Sequence, residues 1–365
     1  MTEQTHQIPA QLQTGKDVGM AGNVKEWVWN ATTTGDRYTL GGGAGEPSYL
    51  FGDLEARSPF DRGPTNGLRC AKYPGEGRPD VKNAAPFDRL VRDYSREAPV
   101  SEATFEQFVR MQRYAAKPLD ARIEKTLDGD PATRVERVSF TAAYAGDRVI
   151  AYLWLPKGLK PPYQTLVVFP GSEALRPAGP ELLEQPDRYD FLVRSGRAVV
   201  HPIYQGMYER FTPMSLDPIA MRDRGIQWAQ DMRRTLDYLD SRSDIDHAKV
   251  GYFGSSLGGG FAPVILAAEP RLSLAVLMGA GLQVQKNEPE IEPVNYLPHV
   301  KQPVLMVNGK YDYFIPNDPA QITFFKLLGT ADKRHIVVEA PHSVPRSEYL
   351  PPVLGWLDKY FGPAR

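Results

Sequence analysis

The stretch KVGYFGSSLGGGFAPVILAA, Lys249–Ala268, decides the fold. Val250–Phe253 is a short apolar strand, and an apolar helix runs from about Gly258 to Ala268. Between them stands Gly254-Ser255-Ser256-Leu257-Gly258, a G-x-S-x-G. Such a serine sits on a sharp strand-to-helix turn, lifted above the edge of a sheet. Glycines two before and two after leave room for that turn. The bare pattern arises by chance in many chains. Its placement after a strand and before a helix is what makes it a candidate nucleophile, Ser256.

Working outward, apolar strands keep alternating with helices. Downstream come strands at Leu274–Met278, Val304–Val307 and Ile336–Val338, with helices across Ala320–Leu328 and Glu348–Tyr360. Upstream, Ile226, Ala229, Met232, Leu236 and Leu239 repeat at steps of three and four on one helical face. Val199–Ile203 and Leu166–Phe169 are short apolar strands. The segment RVERVSFTAAYAGDRVIAYLWLP, Arg134–Pro156, reads as a hairpin about Gly146–Asp147. This alternation predicts an α/β fold, a doubly wound and mostly parallel sheet with an antiparallel start.

A serine nucleophile needs a base, and the base needs an orienting carboxylate. In the doubly wound hydrolase arrangement they follow in the order serine, acid, histidine. Asp312 lies just past the strand in QPVLMVNGKYD, and His342 just past the strand in IVVEAPH. Both fall at strand C-terminal ends, where open α/β sheets build their sites. Asp318 is a second candidate acid, and Glu339, which ends a strand, a weaker one. His335 and His299 precede strands, and His201 lies within one and reads as a core or supporting residue. For an oxyanion, the N–H of Leu257 opens the helix after the nucleophile, and the N–H of Ser172 follows Pro170-Gly171 at another strand end.

Two long insertions flank this constellation. Residues 204–221 carry Tyr204, Met207, Tyr208 and Phe211, the candidate substrate-binding residues, with Pro213 and Pro218 as interruptions. Residues 279–299 hold Glu288, Glu290 and Glu292 among prolines. Neither reads as a mobile amphipathic lid, so esters of short acids are the expected substrates.

Composition removes other classes. Of 365 residues, 43 are Lys or Arg and 44 Asp or Glu, a net charge of −1. That excludes the basic surplus of a general nucleic-acid binder and gives no reason to expect binding to anionic membranes. The one cysteine, Cys70, excludes an intramolecular disulfide and a cysteine zinc cluster. No pair of the 6 histidines has H-x-x-x-H spacing. No metal or organic cofactor is expected. Apolar runs fall short of the ~20 residues of a membrane span, and the polar start MTEQTHQIPAQLQ lacks a signal-peptide core. A cytoplasmic protein is therefore expected; a homo-oligomer is neither required nor excluded.

Three segments are expected. Residues 1–75 form an irregular module rich in Gly and aromatics (Trp27, Trp29, Tyr38, Tyr49, Phe51, Phe60). Residues 76–134 form a linker with a helical segment about Phe105, Phe108, Val109 and Met111, and residues 135–365 the catalytic domain.

The second half resembles an α/β-hydrolase of the dienelactone hydrolase-like and prolyl-oligopeptidase-like group. The likeness covers about residues 135–362 and rests on the hairpin, GYFGSSLGG (Gly251–Gly259), GKYD (Gly309–Asp312) and PHS (Pro341–Ser343). It implies a Ser256–His342–Asp312 triad with an oxyanion hole at Leu257 and Ser172. Dienelactone hydrolases proper use a cysteine, so Ser256 does not imply that particular activity. FPGS (Phe169–Ser172) also departs from the His-Gly of many esterases. Residues 18–73 are similar to the C-terminal part of the formylglycine-generating-enzyme domain, on Met20–Asn30, LGGG (Leu40–Gly43) and NGLRC (Asn66–Cys70). That family's paired active-site cysteines have no counterpart here. The expected activity is hydrolysis of small to medium carboxylic esters. A peptidase of the acylaminoacyl or prolyl type and a non-catalytic binding scaffold are the alternatives.

Overall fold

The computed structural model describes residues 22–33, 35–44, 55–68, 85–87, 92–115, 117–128, 130–144, 146–184, 187–215, 217–312 and 314–364. His6, Met20, Tyr49, Phe51 and Cys70 lie outside these, as does the side chain of Asp318. Two compact units divide the chain, Met1–Val91 and Arg92–Arg365.

In the first unit, β1 (Lys25–Ala31), β2 (Arg37–Leu40), β3 (Glu55–Arg57) and β4 (Asn66–Gly67) form a sheet in the order β3-β2-β1-β4. Gly67 is needed for packing: a Cβ there would lie 2.5 Å from Cγ2 of Val24. Tyr38 stacks on Phe87 at 4.8 Å and its hydroxyl donates to the Phe87 carbonyl at 2.9 Å.

The second unit begins earlier than the expected residue 135. α1 (Glu102–Met111) is capped by Ser101, and β5 (Arg122–Leu127) pairs antiparallel with β6 (Thr133–Thr141). The stretch expected to be a linker thus supplies the edge strand of the main sheet. The other strands are β7 (Arg148–Pro156), β8 (Tyr163–Phe169), β9 (Ala198–Ile203), β10 (Ile245–Ser255), β11 (Ala275–Met278), β12 (Val304–Gly309) and β13 (Lys333–Val338). Their order is β13-β12-β11-β10-β8-β9-β7-β6-β5. From β9 to β13 every neighbouring pair is parallel, while β5, β6 and β7 pair antiparallel.

Helices α2 (Asp190–Arg194), α3 (Pro218–Asp240), α4 (Leu257–Leu266), α5 (Ile322–Leu327) and α6 (Arg346–Phe361) complete the unit. The central strands are apolar on both faces: Leu166, Val167, Val168 and Phe169 are all fully buried, as are Leu305, Met306 and Val307. α3 buries Ala229, Met232, Leu236 and Leu239 of the face its spacing predicts, while Ile226 is only half-buried and Trp228 is buried in addition. Pro218 does not interrupt the insertion as expected. It is the first residue of α3, where no amide proton is needed, and the Asp217 carboxylate accepts from the N–H groups of Ile219 and Ala220.

The parallel half of the sheet fixes where the site forms. Gly254 pairs with Phe169 and Ser255 with Met278, so β8, β10 and β11 end level with one another. Chain leaving β12 reaches Asp312, and chain leaving β13 reaches His342, at that same edge.

Candidate active site

Ser256 follows the last residue of β10 and precedes the first of α4, at φ 50° and ψ −106°. A non-glycine residue in this region stores about 1–3 kcal/mol and persists only where its surroundings hold it. Here the Ser256 N–H donates to the Met278 carbonyl at 2.7 Å, and the Gly258 N–H to the Pro170 carbonyl at 3.1 Å. The hydroxyl of Tyr252 donates to the Gly258 carbonyl at 2.6 Å. The two motif glycines have a steric origin. A Cβ on Gly258 would lie 2.2 Å from the Phe169 carbonyl oxygen, and one on Gly254 2.5 Å from the Gly258 carbonyl oxygen.

The turn brings three sequence-distant groups into line. Ser256 Oγ is 2.8 Å from His342 Nε2, and His342 Nδ1 is 2.6 Å from Asp312 Oδ2. The Asp312 side chain is wholly buried and that of His342 nearly so. An ionised carboxylate only accepts hydrogen bonds, so Nδ1 carries the ring proton and Nε2 presents a lone pair to the Ser256 hydroxyl. The other oxygen of Asp312 accepts from the N–H groups of Phe314 and Ile315, both at 3.0 Å, which fixes its rotamer. Phe314 packs edge-on against the imidazole at 5.3 Å. Gly279 lies beside the same ring with φ 61°, and a Cβ there would come within 3.0 Å of Cε1. This arrangement can move a proton from the hydroxyl to Nε2 while the carboxylate steadies the imidazolium.

Leu257 is the first residue of α4, whose leading amides have no acceptor within the helix. Ser172 opens a short 3₁₀ turn, residues 172–174, immediately after Gly171. A Cβ on Gly171 would lie only 3.2 Å from the Cβ of Ser256, so this turn abuts the nucleophile.

The rival groups stand elsewhere. His299 stacks on Phe105 at 3.5 Å, and His335 packs beside Phe325. Burial lowers the pKa of both. Nε2 of His247 is bonded to the Arg242 carbonyl. Glu339 pairs with Lys310 on the surface.

The substrate-binding expectation needs correcting. Tyr204 and Met207 are wholly buried in the core and offer no face to a ligand. Tyr204 stacks on Phe169 at 4.1 Å and donates to the Val168 carbonyl. Tyr208 is 7% exposed, and Phe211 is partly exposed at the end of the same turn.

Sequence reasoning missed Glu173, whose side chain folds back on Gly171: Oε2 lies 2.2 Å from the position a Gly171 Cβ would take. A charged residue directly after the candidate oxyanion donor was the available signal. It also missed Arg188, which donates to the other oxygen of Glu173 at 2.6 Å.

Residues 192–340 match the Dienelactone hydrolase family, a span that includes Ser256 and Asp312 and stops two residues before His342. No curated protein matches the chain. Among solved structures, the acetyl xylan esterase from Paenibacillus sp. R4 is 17% identical with a TM-score of 0.57, covering 73% of this chain and 98% of that one. Acetyl xylan esterase 1 from Thermoanaerobacterium sp. JW/SL YS485 is 18% identical with a TM-score of 0.59, covering 72% and 95%. The glucuronoyl esterase from Solibacter usitatus is 13% identical with a TM-score of 0.52, covering 74% and 99%. The second unit has the α/β-hydrolase fold, with a mostly parallel central sheet.

Proposed function

We propose that this chain is a serine carboxylesterase acting on small to medium esters through an acyl-enzyme. The observation that carries the reading is the continuous contact Ser256 Oγ–His342 Nε2 and His342 Nδ1–Asp312 Oδ2, at 2.8 Å and 2.6 Å, on a strained strand-to-helix turn.

Ser256 Oγ attacks the ester carbonyl carbon as its proton passes to Nε2 of His342. The carbonyl π pair moves onto oxygen, and the amides of Leu257 and Ser172 receive that oxyanion. The tetrahedral adduct collapses, the C–O bond to the alcohol breaks, and Nε2 returns the proton to the departing alkoxide. Water then attacks the acyl-enzyme by the same route, releasing the acid and restoring Ser256. Asp312 keeps the ring in one tautomer and steadies its positive charge. No step requires a metal or an organic cofactor.

The first unit supplies no reacting group in this reading, and its likeness to part of the formylglycine-generating-enzyme domain is taken as structural ancestry. The same reading places the protein in the cytoplasm, acting on a small-molecule ester. Among the described residues, no helix is long and apolar enough to cross a membrane. The test is covalent labelling by a fluorophosphonate, followed by turnover of short-chain esters. Wild-type protein should label and Ser256→Ala should not. Equal labelling of the two removes Ser256 from the reaction.

A further inference from the structure

Beside the nucleophile stands a charge the reaction does not use. The notional Cβ of Gly171 lies 2.2 Å from Oε2 of Glu173 and 3.2 Å from the Cβ of Ser256, so this carboxylate oxygen sits next to the catalytic serine. Glu173 also directly follows Ser172, whose amide is the second oxyanion donor in the proposed mechanism. A bare carboxylate there would oppose the transition state, because two negative charges at short range repel strongly. Arg188 removes that conflict. Its Nη1 donates to Oε1 at 2.6 Å, which leaves the pair near zero net charge. Oε2 meanwhile has no hydrogen-bond donor among the described residues.

One acceptor oxygen and a guanidinium therefore stand together beside Ser256.

We infer that Glu173, with Arg188, forms a subsite for a hydroxyl group on the substrate, so that the enzyme selects polyol esters or hydroxy-acid esters over plain alkyl esters. A free carboxylate oxygen accepts from a neutral hydroxyl, while the guanidinium can donate to that hydroxyl or its neighbour. The neutralised pair has little attraction for a substrate ammonium and none for a substrate carboxylate. Glu173 is the specificity-determining group; Arg188 is a positioning residue that holds it.

The inference rests on the esterase reading, and matched ester pairs separate the two. Propyl acetate against glycerol 1-acetate places hydroxyls on the alcohol side, and ethyl propanoate against ethyl lactate on the acyl side. In wild-type protein at least one pair should favour the hydroxylated ester in kcat/KM. Glu173→Ala and Arg188→Met should each lower that ratio roughly tenfold, the scale of one hydrogen bond to a charged acceptor, mainly through KM. Arg188→Lys should restore part of it, which a generally damaged fold would not allow. Ratios left unmoved by both variants, with esters still turned over, overturn the subsite alone. A wild-type preference for the cation of alanine ethyl ester that Glu173→Ala abolishes, with the hydroxyl ratios intact, reassigns the carboxylate to an ammonium and overturns it too. If wild-type protein hydrolyses none of these esters, the esterase reading falls and the subsite with it.

Discussion

Replacing His201 with phenylalanine should flatten the loss of stability on acidification. His201 lies in β9 and is 2% exposed, and neither ring nitrogen has a hydrogen-bond partner among the described residues. Trp154, Tyr189 and Tyr208 surround it with ring centroids at 5.7, 6.0 and 5.9 Å. Burial, and then the positive charge of Arg188, lower its pKa from 6.5 to about 3. The unfolded chain therefore takes up a proton near pH 6.5 that the folded chain refuses until about pH 3. Within that window acid favours unfolding: the contribution is neutral above the unfolded pKa and grows unfavourable as pH falls. Each unit of pH is worth about 1.4 kcal/mol, so moving from pH 6.5 to 4.5 should cost about 2–3 kcal/mol through this one group. The assay is urea unfolding of both proteins at pH 7.5 and pH 4.5. Other acid-sensitive groups are shared, so they cancel when the two pH differences are subtracted. The wild type should lose about 2–3 kcal/mol more than His201→Phe. Equal losses would mean that His201 is protonated in the folded state, and the account of its cage would be wrong.

Ser256→Ala should lower kcat by several orders of magnitude, whereas Ser255→Ala, one residue earlier at the end of β10, should do far less; a kinetic comparison in which the two match would put the register of the turn in error. His342→Ala should abolish ester turnover in a kinetic assay in which His335→Ala and His299→Ala retain most of it. Gly258→Ala should yield insoluble or inactive protein, since its Cβ would lie 2.2 Å from the Phe169 carbonyl oxygen. By contrast Gly355→Ala, in α6 with nothing within 4 Å of its Cβ, should raise stability in urea by about 0.5–1 kcal/mol. Arg92→Met should cost about 3 kcal/mol or more in the same measurement, because it strips the guanidinium from the buried Glu292, 2.7 Å away. A chain-length series of p-nitrophenyl esters should peak at about two to six acyl carbons, and an optimum at twelve or more would contradict the short-acid reading.

What the sequence made legible is what the chain encodes locally. A strand, a tight turn and a helix occupy one short stretch, and the steric demand for Gly254 and Gly258 is met within it and by the Phe169 carbonyl. Asp312 and His342 could be read because parallel strands all end at one edge, so a residue just past a strand is placed by topology alone. Other features depend on partners far away in the chain. β5 could not be recognised as a strand because its residues are mostly exposed at the sheet's edge and carry little apolar signal. Arg92 meets Glu292 across 200 positions, and Asp231 collects Tyr144, Gln205 and Arg210, so neither cluster has a local spacing to detect. Tyr204 and Met207 misled for the converse reason. Their residue types suit a pocket as well as a core, and only the clamps on their turn decide which way each side chain points. Bonds from the Gln205 N–H and from Arg210 to Asp231, and from Trp228 to the Gln205 carbonyl, hold that turn, with Tyr204 and Met207 wholly buried and Tyr208 packed against His201. The functional residues hardest to read are thus those whose role is set by a neighbour's backbone conformation rather than by their own chemistry.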